Sequence, residues 1–409
     1  MRKTSLTVIF MTVFIDLMGF GILIPILPTF ASKDLGISDF GIGILFASFS
    51  LVQFIFNPIL GRISDKYGRR PVILSSLVST ISSYIIFSFS HSFLLLLVSR
   101  ILGGLGGSNI AVAQAYIADI TTKEERSKGM GMIGMAFGLG FVFGPMIGGI
   151  LSHYGYAFTG FASAAFSSMA FIFAFLFLKE TVDVEKTKQV KIAGAKILDI
   201  KGTYETLKHP DVGILILLFF ILTFSGANIY GTFALLGYKV YSLSDQQIGY
   251  LFGIMGIVGA IIQGGFIKTL TNKFSEKTLI LAGTFIMIFG LGLLPYGGNF
   301  LGVAIVISVL AIGTGIITPV VLSMISKYSS ENEQGAILGI NQSLSALARV
   351  LGPLWGGFAF EFLGYPFPFI TGAVFMVLTF FFSMKFINSE KYAKMAKEKV
   401  VINNIEGGM

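Results

Sequence analysis

The sequence predicts an all-α membrane protein of twelve transmembrane helices, arranged as two pseudo-symmetric six-helix bundles. Three observations lead there: a shortage of polar residues, apolar segments of bilayer length, and a repeat that relates the two halves. Of the 409 residues, 54% are apolar and 12% charged, too few polar groups to cover the surface of a soluble protein. Apolar segments recur along the chain, and about 20 such residues cross the hydrocarbon core. The expected spans are 6–30, 41–61, 71–90, 93–120, 129–152, 157–178, 211–235, 246–267, 278–296, 299–326, 335–360 and 365–384. The first is too long for a signal-peptide core and lacks a small-residue cleavage site, so it reads as a retained helix. The chain has no Cys, which excludes disulfide and thiol chemistry.

The net charge of +8 follows topology. With the N-terminus in the cytoplasm, nearly all Lys and Arg fall on the cytoplasmic side. The other side holds only Lys33 and Lys239, while Arg100 and Arg349 lie inside spans. Basic loops resist translocation, so a multi-pass protein of the cell (inner, cytoplasmic) membrane with both termini cytoplasmic is expected. The basic balance is no nucleic-acid footprint. An N-terminal bundle (1–178), a polar cytoplasmic linker (179–210), a C-terminal bundle (211–388) and a cytoplasmic tail (389–409) follow. Within the linker, 190–208 is weakly amphipathic and reads equally as a helix on the inner leaflet or as a solvated connection.

The halves repeat: Gly131, Gly144, Pro145, Gly148 and Gly149 recur 208 residues later as Gly339, Gly352, Pro353, Gly356 and Gly357. An even number of helices per half makes these parallel repeats, one of the architectures of secondary transporters.

Three segments carry mechanism. Between the second and third spans stands Gly61-Arg62-Ile63-Ser64-Asp65-Lys66-Tyr67-Gly68-Arg69-Arg70. The positive-inside rule explains its basic residues but not Gly61, Asp65 and Gly68 at those spacings. The fifth span carries Gly140-Phe141-Val142-Phe143-Gly144-Pro145-Met146-Ile147-Gly148-Gly149, small residues that allow tight helix contact and a proline that bends the helix. The first span buries Asp16, ahead of Pro25 and Pro28; an acid at such depth is costly and is usually functional or paired.

These segments resemble the major facilitator superfamily, most closely its tetracycline–proton antiporters, over nearly the whole chain. The resemblance implies alternating access, with Gly61, Asp65, Gly68, Arg69, Arg70, Asp119 and Arg126 forming a conformational latch on the cytoplasmic side. It assigns Gly140, Gly144, Pro145, Gly148 and Gly149 to the motif associated with drug–proton antiport. Arg100 matches a fourth-helix arginine linked to proton coupling, so Asp16 and Arg100 read either as a coupling pair or as a fixed structural pair. Ser83, Gly259 and Met287 stand where the tetracycline antiporters carry an acid, a histidine and an acid, which argues against tetracycline itself. Arg349, deep in the eleventh span, needs a partner or an anionic substrate.

Gln53, Asn109, Gln114, Asn228, Tyr230, Gln263, Asn341, Gln342 and Arg349 are candidates to line a central cavity, though each polar one also suits an interhelical hydrogen bond. No nucleotide-binding glycine loop precedes a Lys-Ser/Thr pair, which argues against ATP-driven transport. His91, His153 and His209 are isolated and form no metal site. The expected activity is proton-coupled export of amphipathic or lipophilic small molecules by a monomer without cofactor. The partners are substrate, protons and lipid bilayer, with no enzyme chemistry. A lipid or lysolipid mover, a proton-coupled uptake symporter and a non-transporting receptor are the rivals on the same fold. Tags after Gly408 and within 185–200 should be labelled only from the cytoplasm, and one beside Lys33 only from outside. An externally labelled linker would overturn the bundle assignment.

Overall fold

The computed structural model describes residues 2–182, 206–208, 212–329 and 334–386, without the side chains of 2–4, 123, 124, 126–128, 334–336 and 386. The amphipathic stretch expected over 190–208 lies almost wholly outside the described residues, as does the tail from 389. The helices are α1 (Arg2–Lys33), α2 (Asp39–Tyr67), α3 (Arg69–Ser88), α4 (Phe93–Gly107), α5 (Asn109–Ile120), α6 (Lys123–Leu151) and α7 (Tyr156–Phe177). They continue with α8 (Val212–Leu235), α9 (Asp245–Ile261), α10 (Ile267–Lys273), α11 (Glu276–Leu293), α12 (Phe300–Tyr328), α13 (Gln334–Phe358) and α14 (Phe367–Phe386).

Eleven helical stretches among the described residues are long and apolar enough to span a membrane. The remaining expected span, eleventh in order, falls on α13, whose 25 residues reach about 37 Å at 1.5 Å per residue. The fourth span is α4 and α5 in succession, meeting at Ser108, and the eighth joins α9 to α10 through a π-helical turn, Ile262–Phe266.

Helices overrun the expected apolar windows, because helix continues while side chains turn polar at the bilayer surface. The largest consequence is a correction: the segment Gly61–Arg70 is not a loop. Helix α2 runs through Tyr67, Gly68 alone breaks it, and α3 starts at Arg69. Gly68 takes φ +100, which favours glycine.

The chain packs as two compact units that cut across the sequence halves. One comprises 1–197, 228–256 and 349–365, the other 198–227, 257–348 and 366–409. In the first unit α1 and α6 cross closely. A Cβ on Gly144 would stand 2.6 Å from Gly21 Cα, one on Gly140 2.9 Å from Leu17 Cβ, and one on Gly148 would collide with the Ile22 carbonyl. Helices α3 and α4 are joined by reciprocal hydrogen bonds: Ser83 Oγ donates to the Ser99 carbonyl (2.8 Å) and Ser99 Oγ to the Ser83 carbonyl (2.9 Å). In the second unit α11 meets α12, with Gly290 against Leu310 and Gly313 against Met287.

Both copies of the Gly-Pro repeat do the same work inside the first unit. Gly249 of α9 fits against the Pro145 carbonyl and Gly149, and Gly43 of α2 against the Pro353 carbonyl and Gly357. Gly131, by contrast, has open space where its Cβ would be. Gly148→Val should therefore abolish monodisperse protein in size-exclusion chromatography, whereas Gly131→Ala should leave the yield within about twofold, gaining helix propensity of roughly 1 kcal/mol. Equal yields for the two would refute the close crossing.

Candidate functional site

Two polar centres lie in the first unit. The first surrounds the α2–α3 break. Arg69 begins α3 and is almost fully buried, so each of its donors must find an acceptor. Its Nη1 reaches Asp65 Oδ1 at 2.6 Å and Ser64 Oγ at 2.7 Å, and its Nε reaches Asp119 Oδ2 at 2.9 Å. Thr181 Oγ1 donates to the same Asp119 oxygen at 3.0 Å. Glu180 supplies the helix cap that α3 otherwise lacks: its carboxylate accepts the Arg69 and Arg70 N–H groups at 2.9 and 3.0 Å. A negative charge there also complements the positive end of the helix. Gly68 is fixed twice, by its positive φ and because a Cβ would collide with the Glu180 carboxylate. Arg70 leaves the cluster, donating from Nη2 to the Phe175 carbonyl at 2.6 Å and covering that residue's ring. Gly61 contributes its carbonyl, 3.4 Å from Arg69 Nη1. The Arg126 side chain lies outside the described residues.

Sequence reasoning missed Ser64, Glu180 and Thr181. It also missed the counterpart in the second unit. Glu276 opens α11 and accepts from Lys327 Nζ at 2.5 Å and from Tyr328 OH at 2.9 Å. Lys327 stands 208 residues after Asp119, and Glu276 stands 207 after Arg69. The equivalent helix ends are bonded with the charges exchanged.

The second centre is Asp16, buried in α1. Ser167 Oγ of α7 donates to Oδ1 at 2.7 Å and Asn109 Nδ2 of α5 to Oδ2 at 3.0 Å. Arg100 is buried too, but no ion pair joins it to Asp16. Its Nη2 donates to Ser99 Oγ at 3.3 Å, its guanidinium lies 6.0 Å from the Phe87 ring centroid, and Nε has no partner. Buried Tyr84 lies within electrostatic reach of both Asp16 and Arg100.

A further set of bonds within the first unit lies at the ends remote from the α2–α3 break. Lys239 Nζ pairs with Asp39 Oδ1 at 2.5 Å, Glu361 accepts the Phe40 N–H at 2.8 Å, and Tyr156 OH donates to Asp245 Oδ2 at 2.9 Å. Asp39 and Asp245 open α2 and α9 in matching contexts, Ser38-Asp39 with Ile42-Gly43 and Ser244-Asp245 with Ile248-Gly249. That second repeat was the signal available for them.

Of the expected cavity residues, Gln53, Asn109, Gln114, Asn228, Tyr230 and Arg349 belong to the first unit, and Gln263, Asn341 and Gln342 to the second. Asn109, Asn228 and Asn341 are buried, whereas Gln114, Gln263 and Gln342 are exposed. Gln53 Nε2 lies against Gly107. Among the described residues no group of His, Asp and Glu suits a metal ion.

The sequence pattern of the Major Facilitator Superfamily matches residues 9–299 and 215–401. The chain belongs to this superfamily. This major facilitator chain is 30% identical over 375 residues to multidrug resistance protein 2 of Bacillus subtilis, covering 90% of this chain and 92% of that one. It is 28% identical over 411 residues to the class H tetracycline resistance protein of Pasteurella multocida, covering 98% and 100%. Among solved structures it resembles the human organic anion transporter MFSD10, with a TM-score of 0.68, 25% identity, and coverage of 93% and 99%. It is thus a multi-pass membrane transporter of small molecules and not an enzyme.

Arg69 serves several acceptors from a nearly buried position, whereas Asp65 is 57% exposed and screened by solvent. Arg69→Gln should lower stability by about 1–3 kcal/mol and Asp65→Asn by less than about 1 kcal/mol, read from thermal melts of the purified protein. A larger loss for Asp65→Asn would show that the exposed acid, not the buried hub, holds the helix ends.

Proposed function

We propose that this chain is a proton-driven exporter of amphipathic, largely apolar small molecules. It works as a monomer by alternating access in the cytoplasmic membrane, with both termini on the cytoplasmic side. The observation that carries the reading is Asp16, a buried carboxyl whose two oxygens accept hydrogen bonds from neutral Ser167 and Asn109. Taking up or releasing a proton there breaks no ion pair, and a protonated carboxyl turns from acceptor to donor, so the change is felt by α5 and α7 together. Arg100, held apart by its own contacts with Ser99 and Phe87, supplies a fixed positive charge on α4 and is not the counter-ion of Asp16.

The Arg69–Asp119–Asp65 cluster supports the latch role: it ties α2, α3 and α5 where a conformational change can make or break it. Kinship with multidrug and tetracycline resistance proteins supports export. Alternating access then rocks the two repeats against each other about a central site, which proton and substrate compete for or occupy in sequence.

The test uses proteoliposomes, an imposed pH gradient and a panel of lipophilic dyes. Wild-type protein should accumulate dye against its gradient. Asp16→Asn should abolish that accumulation while leaving dye-for-dye exchange, which needs no net proton movement, at least partly intact. A variant that still pumps would remove Asp16 as the proton carrier, and dye binding without flux would favour a receptor.

A further inference from the structure

Arg349 is the cation that the proton-coupling reading leaves unused. It lies on α13, half-buried, at a depth where charge is expensive and is retained for function. The first acid after it in its own helical run, Glu361, is committed to the Phe40 N–H. Among the described residues no carboxylate lies within ion-pair distance of it, and the ionisable group that faces it is the phenol of Tyr230. A guanidinium carries five donors in a rigid fork suited to the two oxygens of a carboxylate.

Tyr230, the group within electrostatic reach of Arg349, opens a series of aromatic rings. Tyr230 of α8 lies 6.1 Å from Phe141 of α6, Phe141 lies 6.0 Å from Phe20 of α1, and Phe20 stacks on Phe49 of α2 at 5.1 Å, all centroid distances. Tyr230, Phe141, Phe20 and Phe49 are all half-buried, unlike core aromatics such as Phe233 and Phe252. These rings end on an arginine, and an arginine is placed against water-accessible space, not against hydrocarbon. Phe141 belongs to the antiport-type segment of α6, which ties the ring series to the transport elements. All five residues fall within the first compact unit.

We infer that Arg349, with the ring series Tyr230, Phe141, Phe20 and Phe49, forms a binding site for amphipathic organic anions: a flat aromatic body lies along the rings and its carboxylate or sulfonate meets the guanidinium. The inference narrows the substrate class of the transporter proposed above and rests on that reading. It explains why an arginine with no counter-ion among the described residues persists in a span: the substrate is the counter-ion. It also sets a selectivity rule, because an aromatic cation of the same shape meets like charge at the same place.

The test is equilibrium binding by calorimetry at pH 7 in detergent, using 2-naphthoate and its charge-reversed counterpart 2-naphthylmethylammonium. Wild-type protein should bind the carboxylate more tightly than the ammonium. Arg349→Gln should weaken naphthoate by about tenfold or more, the loss expected for a charge-assisted hydrogen-bonded pair, and should leave the ammonium unchanged or tighter. Arg349→Lys keeps the charge without the fork; it should fall between the two and serves if the glutamine variant does not fold. Phe141→Leu should weaken both ligands. Absent naphthoate binding, ammonium binding as tight as naphthoate in the wild type, or naphthoate affinity unaffected by both Arg349 variants would overturn the site. No pH gradient is applied, so naphthoate should still bind to Asp16→Asn protein; failure of proton coupling and failure of anion recognition therefore show in different experiments.

Discussion

In lipid, an apolar side chain gains little by exchanging a hydrocarbon neighbour for another helix, so association depends on how closely backbones approach. Glycine sets that approach here. Gly140, Gly144 and Gly148 let α6 lie against the backbone of α1 from Leu17 to Ile22, and the polar chemistry depends on the crossing. Asp16 directly precedes Leu17 in that contact. Three residues on, a Cβ at Gly19 would come within 3.2 Å of Ser167 Oγ, the donor to Asp16. The carboxyl is placed by backbone packing on one side and receives its hydrogen bonds from α5 and α7 on the others. Side-chain rotation alone cannot take it elsewhere.

Much of this was legible because it is local or repeated. Apolar length gave the spans, and the Gly-Pro repeat pointed to glycines whose second copy packs in the same manner as the first. The Arg69 cluster was readable as a set because Gly61, Asp65, Gly68 and Arg69 lie within ten residues. What escaped was non-local or altered in sign. Glu180 lies 111 residues from Arg69, on a stretch whose Lys-rich composition signals only a linker. The Lys239–Asp39 pair joins residues 200 apart, and the repeat around Asp39 does not point to Lys239. Glu276 and Lys327 escaped because exchanging the charges preserves the energy of a contact while erasing its sequence signature.

Buried ionisable groups show the same limit. A lone carboxyl and a lone guanidinium in neighbouring spans invite pairing, and one-dimensional reasoning has no way to count the hydroxyls, amides and rings that offer each a separate solution. Asp16 found Ser167 and Asn109; Arg100 found Ser99 and the face of Phe87. Keeping them apart leaves the acid able to change charge without unmaking a salt bridge, whose loss inside a protein is costly.

Glu180 has a mechanical consequence. It sits just beyond the last turn of α7, where the chain leaves the first six helices, yet its carboxylate clasps the first two amides of α3. A load on the end of α7 is therefore shared with the start of α3, one peptide bond from Gly68.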